Sequence, residues 1–139
     1  MKVHSFLNTI LLVNGVEIGG WAEGDEVFDA DRLEDSASHI SGADGVMIVS
    51  LNSSNAGTMK VRLSQTSDSN VYLSGLILLQ ENGVFTPLFV QYKDVVTGEI
   101  VSGSQGYILK PAQIKRGVKA NSQEWTFNME RLDMLHIGA

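Results

Sequence analysis

The chain has 139 residues, enough for one domain that buries about two thirds of the surface its unfolded form would expose, and it contains no cysteine. Disulfides, thiolate nucleophiles and cysteine-ligated metals are thereby excluded. A net charge of -6 argues against a dedicated nucleic-acid binder, whose affinity comes mainly from Lys and Arg neutralising phosphates.

The charge is unevenly spread. Residues 1–50 carry nine acids and two bases, whereas residues 51–139 carry seven acids and eight bases. Within this, residues 23–35 hold seven acids and one base, and residues 110–119 hold four bases and no acid. Such a dipolar chain either pairs these patches internally or offers them to neighbouring copies.

Met1-Lys2 and the apolar run from Phe6 have the flavour of a signal peptide, but Asn8 and Thr9 interrupt the run and no small-residue cleavage site follows. The segment is read as mature sequence. No apolar stretch reaches the roughly 20 residues needed to cross a bilayer, so a soluble protein with no membrane partner is expected.

In chain order, Thr9 to Val13 and Val16 to Ile18 flank Asn14-Gly15, whose tolerance of positive φ at both central turn positions predicts a hairpin. A strand is predicted at Glu26 to Asp31, and residues 32–46, rich in Ser, Gly and Asp and without either period, read as a long loop. Val46 to Leu51 and Thr58 to Leu63 then read as a second hairpin around Asn52 to Gly57. In its second arm Met59, Val61 and Leu63 would enter a core while Lys60 and Arg62 face out.

Ser67 or Asp68 can cap a helix over about residues 68–80. Tyr72, Leu73, Leu76, Ile77 and Leu79 would form its apolar face and Asn82-Gly83 its C-terminal stop. The pattern VYLSGLILL also suits a buried strand, and periodicity alone leaves both open. Further strands are predicted at Phe85 to Tyr92, Glu99 to Val101 and Gly106 to Leu109, with Thr97-Gly98 at a tip and Pro111 near a strand end. Gln123 to Leu132 alternates Trp125, Phe127 and Met129 against polar neighbours and has the clearest strand pattern in the chain. The fold class expected is mainly β: an antiparallel β-sandwich or barrel with one flanking α-helix, in a single domain over 1–139.

Catalytic templates fail on residues. Asp29-Ala30-Asp31 begins like a calcium loop, but Glu34 stands where glycine is needed and Ile40 where glutamate is needed. His4, His39 and His136 lack ligand spacing, so no metal is expected. Ser104 has Ser102 rather than glycine two residues before it, so no nucleophile elbow forms. Asn52-Ser53-Ser54 fits the glycosylation sequon but reads as turn chemistry. No phosphate-cradling loop is present, and the expectation is a protein that is no enzyme and holds no cofactor. Trp125 is expected in the core, and Trp21, after Gly19-Gly20, in the core or at an interface.

The order of the pieces carries a resemblance. VNGVEIGGWAEGDEVFDADRLEDSASHISGADG (13–45), NSSNAGTMKVRLSQTSDSNVYLSGL (52–76) and ILKPAQIKRGVKANSQEWTF (108–127) succeed one another as in the small tail tube proteins of contractile-tailed bacteriophages. The likeness spans about residues 10–130 and rests on the NG turn with its acidic strand, the GADG loop end, the Gln65-Thr66-Ser67 and Ser69-Asn70 approach to a helix, Lys110-Pro111-Ala112 and Glu124-Trp125-Thr126.

This resemblance implies six copies closing into a ring, rings stacking into the inner tube of a contractile tail, and DNA passing through the lumen during ejection without specific binding. It favours helix over strand for 68–80. It also implies tail sheath, baseplate and tail-terminator partners, assembly in the host cytoplasm and residence in the virion. The loop at 32–46 would then reach the next ring. Candidate inter-subunit and inter-ring residues are the acidic set Glu26, Asp29, Asp31, Glu34, Asp35 and Asp44, with Arg32 and His39 beside them. The basic counterparts are Lys60, Arg62, Lys115, Arg116 and Lys119. Two rivals stand: a type VI secretion tube protein of the same architecture, and a monomeric β-sandwich that binds a small ligand.

Overall fold

In a computed structural model of the chain, residues 9–23, 27–95 and 98–136 are described. β1 (Thr9–Val13) and β2 (Val16–Ile18) form the hairpin expected around Asn14-Gly15, with φ of 51° and 83° at the two turn residues. β3 (Phe28–Arg32), β4 (Ala37–Ser41), β5 (Met47–Leu51) and β6 (Gly57–Ser64) follow. Helix α1 (Ser69–Glu81) leads to β7 (Leu88–Asp94), β8 (Ile100–Ile108) and β9 (Ser122–Leu135).

Seven strands make one antiparallel sheet in the order β2-β1-β7-β8-β9-β6-β3, and β4 and β5 make a separate two-stranded sheet. The large sheet curls. Trp21, just after edge strand β2, bridges to Leu63 on β6, near the other edge, and Ser64 N–H donates to the Gly20 carbonyl at 2.8 Å. Phe28 on β3 stacks on Tyr92 of β7 with centroids 4.1 Å apart, although three strands lie between them in the sheet order. Edges β2 and β3 do not pair with each other, so the barrel is not closed.

Alternation fills the inside of the curl. Met59, Val61 and Leu63 on β6 and Trp125, Phe127 and Met129 on β9 are buried as their spacing requires. Leu73 and Ile77 of α1 pack on this core. The helix is anchored at both ends by polar bonds: Trp125 Nε1 donates to Asn70 Oδ1 at 2.9 Å, and the Gln80 amide both donates to the Ile108 carbonyl and accepts its N–H. Each satisfies a buried polar group that would otherwise be costly.

Several expectations are corrected. Residues 32–46 are not one irregular loop, because β4 lies within them. The second hairpin pairs β5 with β4, not with β6, which pairs with β3 and β9. The strands expected at Glu99–Val101 and Gly106–Leu109 are one strand, β8. Its inward face shifts from Val101 and Gly103 to Gly106 and Ile108 across Gln105, a non-glycine at φ 53°, where an extra residue relative to β7 makes a bulge. Strand β7 starts at Leu88, leaving Phe85 exposed before it. At the helix start Asp68 makes no side-chain cap bond, while Ser67 Oγ accepts from Ser69 N–H; Leu79 is exposed rather than on the buried face. Asn82-Gly83 ends the helix as expected, Gly83 having φ 86°. Glu26 and Thr97 lie outside the described residues.

Candidate assembly interface

The strongest surface feature grows directly out of the large sheet. Between the Arg32–Gly57 pair and the Ala37–Leu51 pair lie four residues on one strand and five on the other. Leu33 N–H donates to Ala56 O, and Asn52 N–H donates to Ser36 O. β3-β4 and β5-β6 are therefore the two sides of one long ribbon with a single irregularity. From Arg32 to Ser41 this ribbon extends about 30 Å at the usual rise per strand residue. Asn52 braces the irregularity, its Nδ2 donating to Glu34 Oε2 at 2.8 Å and to the Asp35 carbonyl at 3.0 Å.

Every residue of β4 and β5 is exposed, and both faces carry apolar side chains. One face pairs Ala37 with Leu51, His39 with Val49 and Ser41 with Met47; the other pairs Ile40 with Ile48 and Ser38 with Ser50. Leu51 is 84% and Ile40 68% exposed. A lone two-stranded ribbon with such faces is marginal in water and unusual on a monomer, so its residues are suited to burial by something else. The tip is tight: Gly42 N–H donates to Val46 O, Gly45 sits at φ 83°, and Asp44 Oδ1 accepts from Val46 N–H at 3.1 Å.

A second surface is the solvent face of β3, β6 and β9. Asp29 lies opposite Lys60, and Lys60 opposite Thr126. Arg62 Nε meets Glu124 Oε2 at 2.9 Å, and Thr58 Oγ1 donates to Asn128 Oδ1 at 3.1 Å. Opposite charges alternate across the strands, leaving a polar face of mixed sign.

At the far end of β6 and β9 from the ribbon, a cavity of about 410 Å³ is lined by Arg62, Lys110, Lys115, Asn121, Glu124 and others. Asn121 Nδ2 and Arg116 Nη1 both donate to the Lys115 carbonyl, which holds this irregular segment in place. Lys119 lies apart, in a neighbouring cleft with Trp21 and Glu23.

The structure thus divides the expected residues. Asp29, Asp31 and Lys60 are on the polar sheet face, and Glu34, Asp35, His39 and Asp44 are on the ribbon. Lys115 is at the opposite end, Arg116 bonds to its carbonyl and Lys119 lies in the cleft nearby. Arg32 is used within the chain, donating to the Leu132 carbonyl at 3.0 Å and lying 3.8 Å from Asp133. Arg62 likewise pairs with Glu124 of its own chain.

Charge-based reasoning missed the apolar ribbon residues Ile40, Met47, Ile48, Val49 and Leu51. It also missed the outer helix side, where Val71, Leu78 and Leu79 are exposed. The signal was present: MIVSL lacks a wholly polar side and VYLSGLILL is apolar nearly all round, so neither element offers water a polar face.

A family model described as Bacteriophage PhiTE tail tube protein matches residues 1–136. No curated protein sequence matches significantly. Among solved structures, the chain is similar to the PVC sheath/tube terminator of an extracellular contractile injection system in its extended state. That match has 12% identity, covers 98% of this chain and 99% of that one, and has a TM-score of 0.65. It is also similar to the tube-terminating cap of the anti-feeding prophage, at 9% identity over 97% and 92% of the two chains with a TM-score of 0.57. A chain of the native gene transfer agent virion gives 14% identity over 96% and 100%, with a TM-score of 0.55. At these identities the likenesses show a shared fold, tail-tube-like, mainly β and antiparallel with one helix. With the family match running over nearly all of the sequence, the chain belongs to the Bacteriophage PhiTE tail tube protein family.

Proposed function

We propose that this protein builds the inner tube of a contractile bacteriophage tail, as rings, six-membered by the family resemblance, that stack and conduct DNA. Its family and structural neighbours are structural tail proteins rather than enzymes. The observation that carries the assembly reading is the ribbon, which exposes apolar side chains on both faces beyond a core that is otherwise complete. A neighbouring copy supplies the cover, so residues 32–46 take the inter-ring role through β4 and the tip rather than as a slack loop.

The polar face of β3, β6 and β9 suits a channel wall. Duplex DNA carries one negative charge per about 1.7 Å, and a wall of lysines would hold it by many contacts at once. Asp29 and Asp31 beside Lys60, with Glu124 on Arg62, leave little net attraction, so DNA would slide without specific binding. Sheath, baseplate and terminator proteins are the partners such a tube requires, and the virion is its location.

The likeness to a sheath/tube terminator and a tube-terminating cap favours a second reading, a ring that ends a tube instead of extending it. Negative-stain micrographs of the purified protein separate the two. Stacked tubes support the tube reading, and single rings that never stack support the terminator. Dispersed monomers at high concentration under every salt condition overturn both.

A further inference from the structure

The ribbon tip and the basic cavity are opposite in charge and in shape. Between Gly42 and Gly45 the tip carries only the Ala43 methyl and the Asp44 carboxylate, so it is narrow enough to enter a recess. Its shape is held by the Gly42 and Gly45 backbone bonds and by the Asp44 Oδ1 bond to Val46 N–H. Asp44 is exposed and makes no ion pair among the described residues.

The cavity brings Lys110 and Lys115 together with Arg62, whose charge Glu124 already answers. Neither lysine has an ion-pair partner among the described residues. Asn121, Ser122 and Thr126 add hydrogen-bonding groups to the same lining.

Topology places these halves at opposite ends. The ribbon leaves the sheet at Arg32 and Gly57, while the cavity opens beside Arg62 and Glu124, about 17 Å further along β6 at the usual strand rise. A protomer with a projecting group at one end of its strands and its complement at the other makes a head-to-tail contact, which propagates instead of closing on itself.

We propose that the Gly42–Gly45 tip of one copy inserts Asp44 between Lys110 and Lys115 of the next copy along the tube axis. The proposal rests on the stacking reading above and adds to it a specific charge pair. The apolar ribbon faces supply area in this contact, and Asp44 supplies registration.

Asp44→Asn is the sharpest variant, because the amide oxygen can still accept from Val46 N–H while the charge is removed. Loss of one partner of a close charge pair should raise the protein concentration needed for tube growth on the order of tenfold, with rings unchanged. Lys115→Gln should do the same, and the double variant should be little worse than either single one. Because the chain has no cysteine, Asp44→Cys with Lys115→Cys in one chain gives an independent readout. Tubes grown at the higher concentration and treated with a bis-maleimide that spans the reach of a lysine, a separation too wide for a direct disulfide, should then yield a covalent ladder on a denaturing gel, with either single variant stopping at dimers.

Normal tubes from Asp44→Asn, or tubes of the double-cysteine variant without a ladder, overturn the tip-in-cavity contact and leave the tube reading standing. Wild-type protein that forms only single rings, or none, overturns this contact together with stacking.

Discussion

Residues 47–51 read MIVSL and residues 59–63 read MKVRL, yet the two strands meet opposite fates. In β6, Met59, Val61 and Leu63 are fully buried, because β3 and β9 flank the strand and the core lies beneath it. In β5 the same residue types, Met47, Val49 and Leu51, stand in solvent because only β4 pairs with it. Apolar composition therefore decides that a segment is a strand, and not that its own chain covers it. That depends on partners far away in sequence, and MIVSL, with Ile48 exposed on its second side, has only β4 beside it among the described residues.

The sharpest way to break this comparison is to truncate each side in turn. Phe127→Ala, at 0% exposure on β9 beside Met59 of β6, should cost about 3–5 kcal/mol and drop the melting temperature steeply, since it opens a void in a packed core. If it costs under about 1 kcal/mol, the buried half is looser than drawn.

Gly57→Ala probes the junction where ribbon becomes sheet. A Cβ there would overlap Leu132 and the Asp31 carbonyl oxygen, and the backbone oxygen cannot swing aside. Overpacking of this kind should cost about 1–3 kcal/mol in denaturant titration.

Alkaline titration tests the core from another side. Burial of the Tyr92 phenol, and then the nearby Glu99 and Asp94 carboxylates, push its pKa above 10.0. The folded state therefore keeps the proton that the unfolded chain releases. This contribution is fully present below about pH 10 and is lost as pH rises through the higher folded value. Tyr92→Phe retains the ring against Phe28 and should flatten the decline.

The smallest effect on stability should come from the ribbon. Ile40→Ser with Ile48→Ser removes an exposed cross-strand pair and should change protomer stability by no more than about 0.5 kcal/mol per site while eliminating tubes in micrographs. Tubes unaffected by this pair would place the cover elsewhere.

Much of the sheet was legible because its signals are local. Asn14-Gly15 set β1 and β2, and the period-two pattern of Trp125, Phe127 and Met129 set the core face of β9. Helix α1 was left open by periodicity, since its outer side is also apolar. β4 was hidden because Ser38, His39 and Ser41 break any period in a strand with no buried face. The bulge in β8 depends on Gln105 adopting a conformation that its residue type does not announce.

At the candidate interface, the acidic and basic segments were visible as charge, and Asp44 and Lys115 lie on the two exposed ends. Arg32 and Arg62 were not separable from them by sequence. Their partners, Asp133 and Glu124, sit on β9, and only the register of a strand about a hundred or sixty residues away brings them together.

The continuity of the ribbon with β3 and β6 has a mechanical consequence. A pull on the tip runs along the axes of those strands, across hydrogen bonds that lie perpendicular to it. The bonds joining β6 to β9 are then loaded in shear, all together, instead of opening one after another like a zip. A joint anchored this way resists traction with the strength of the whole ladder.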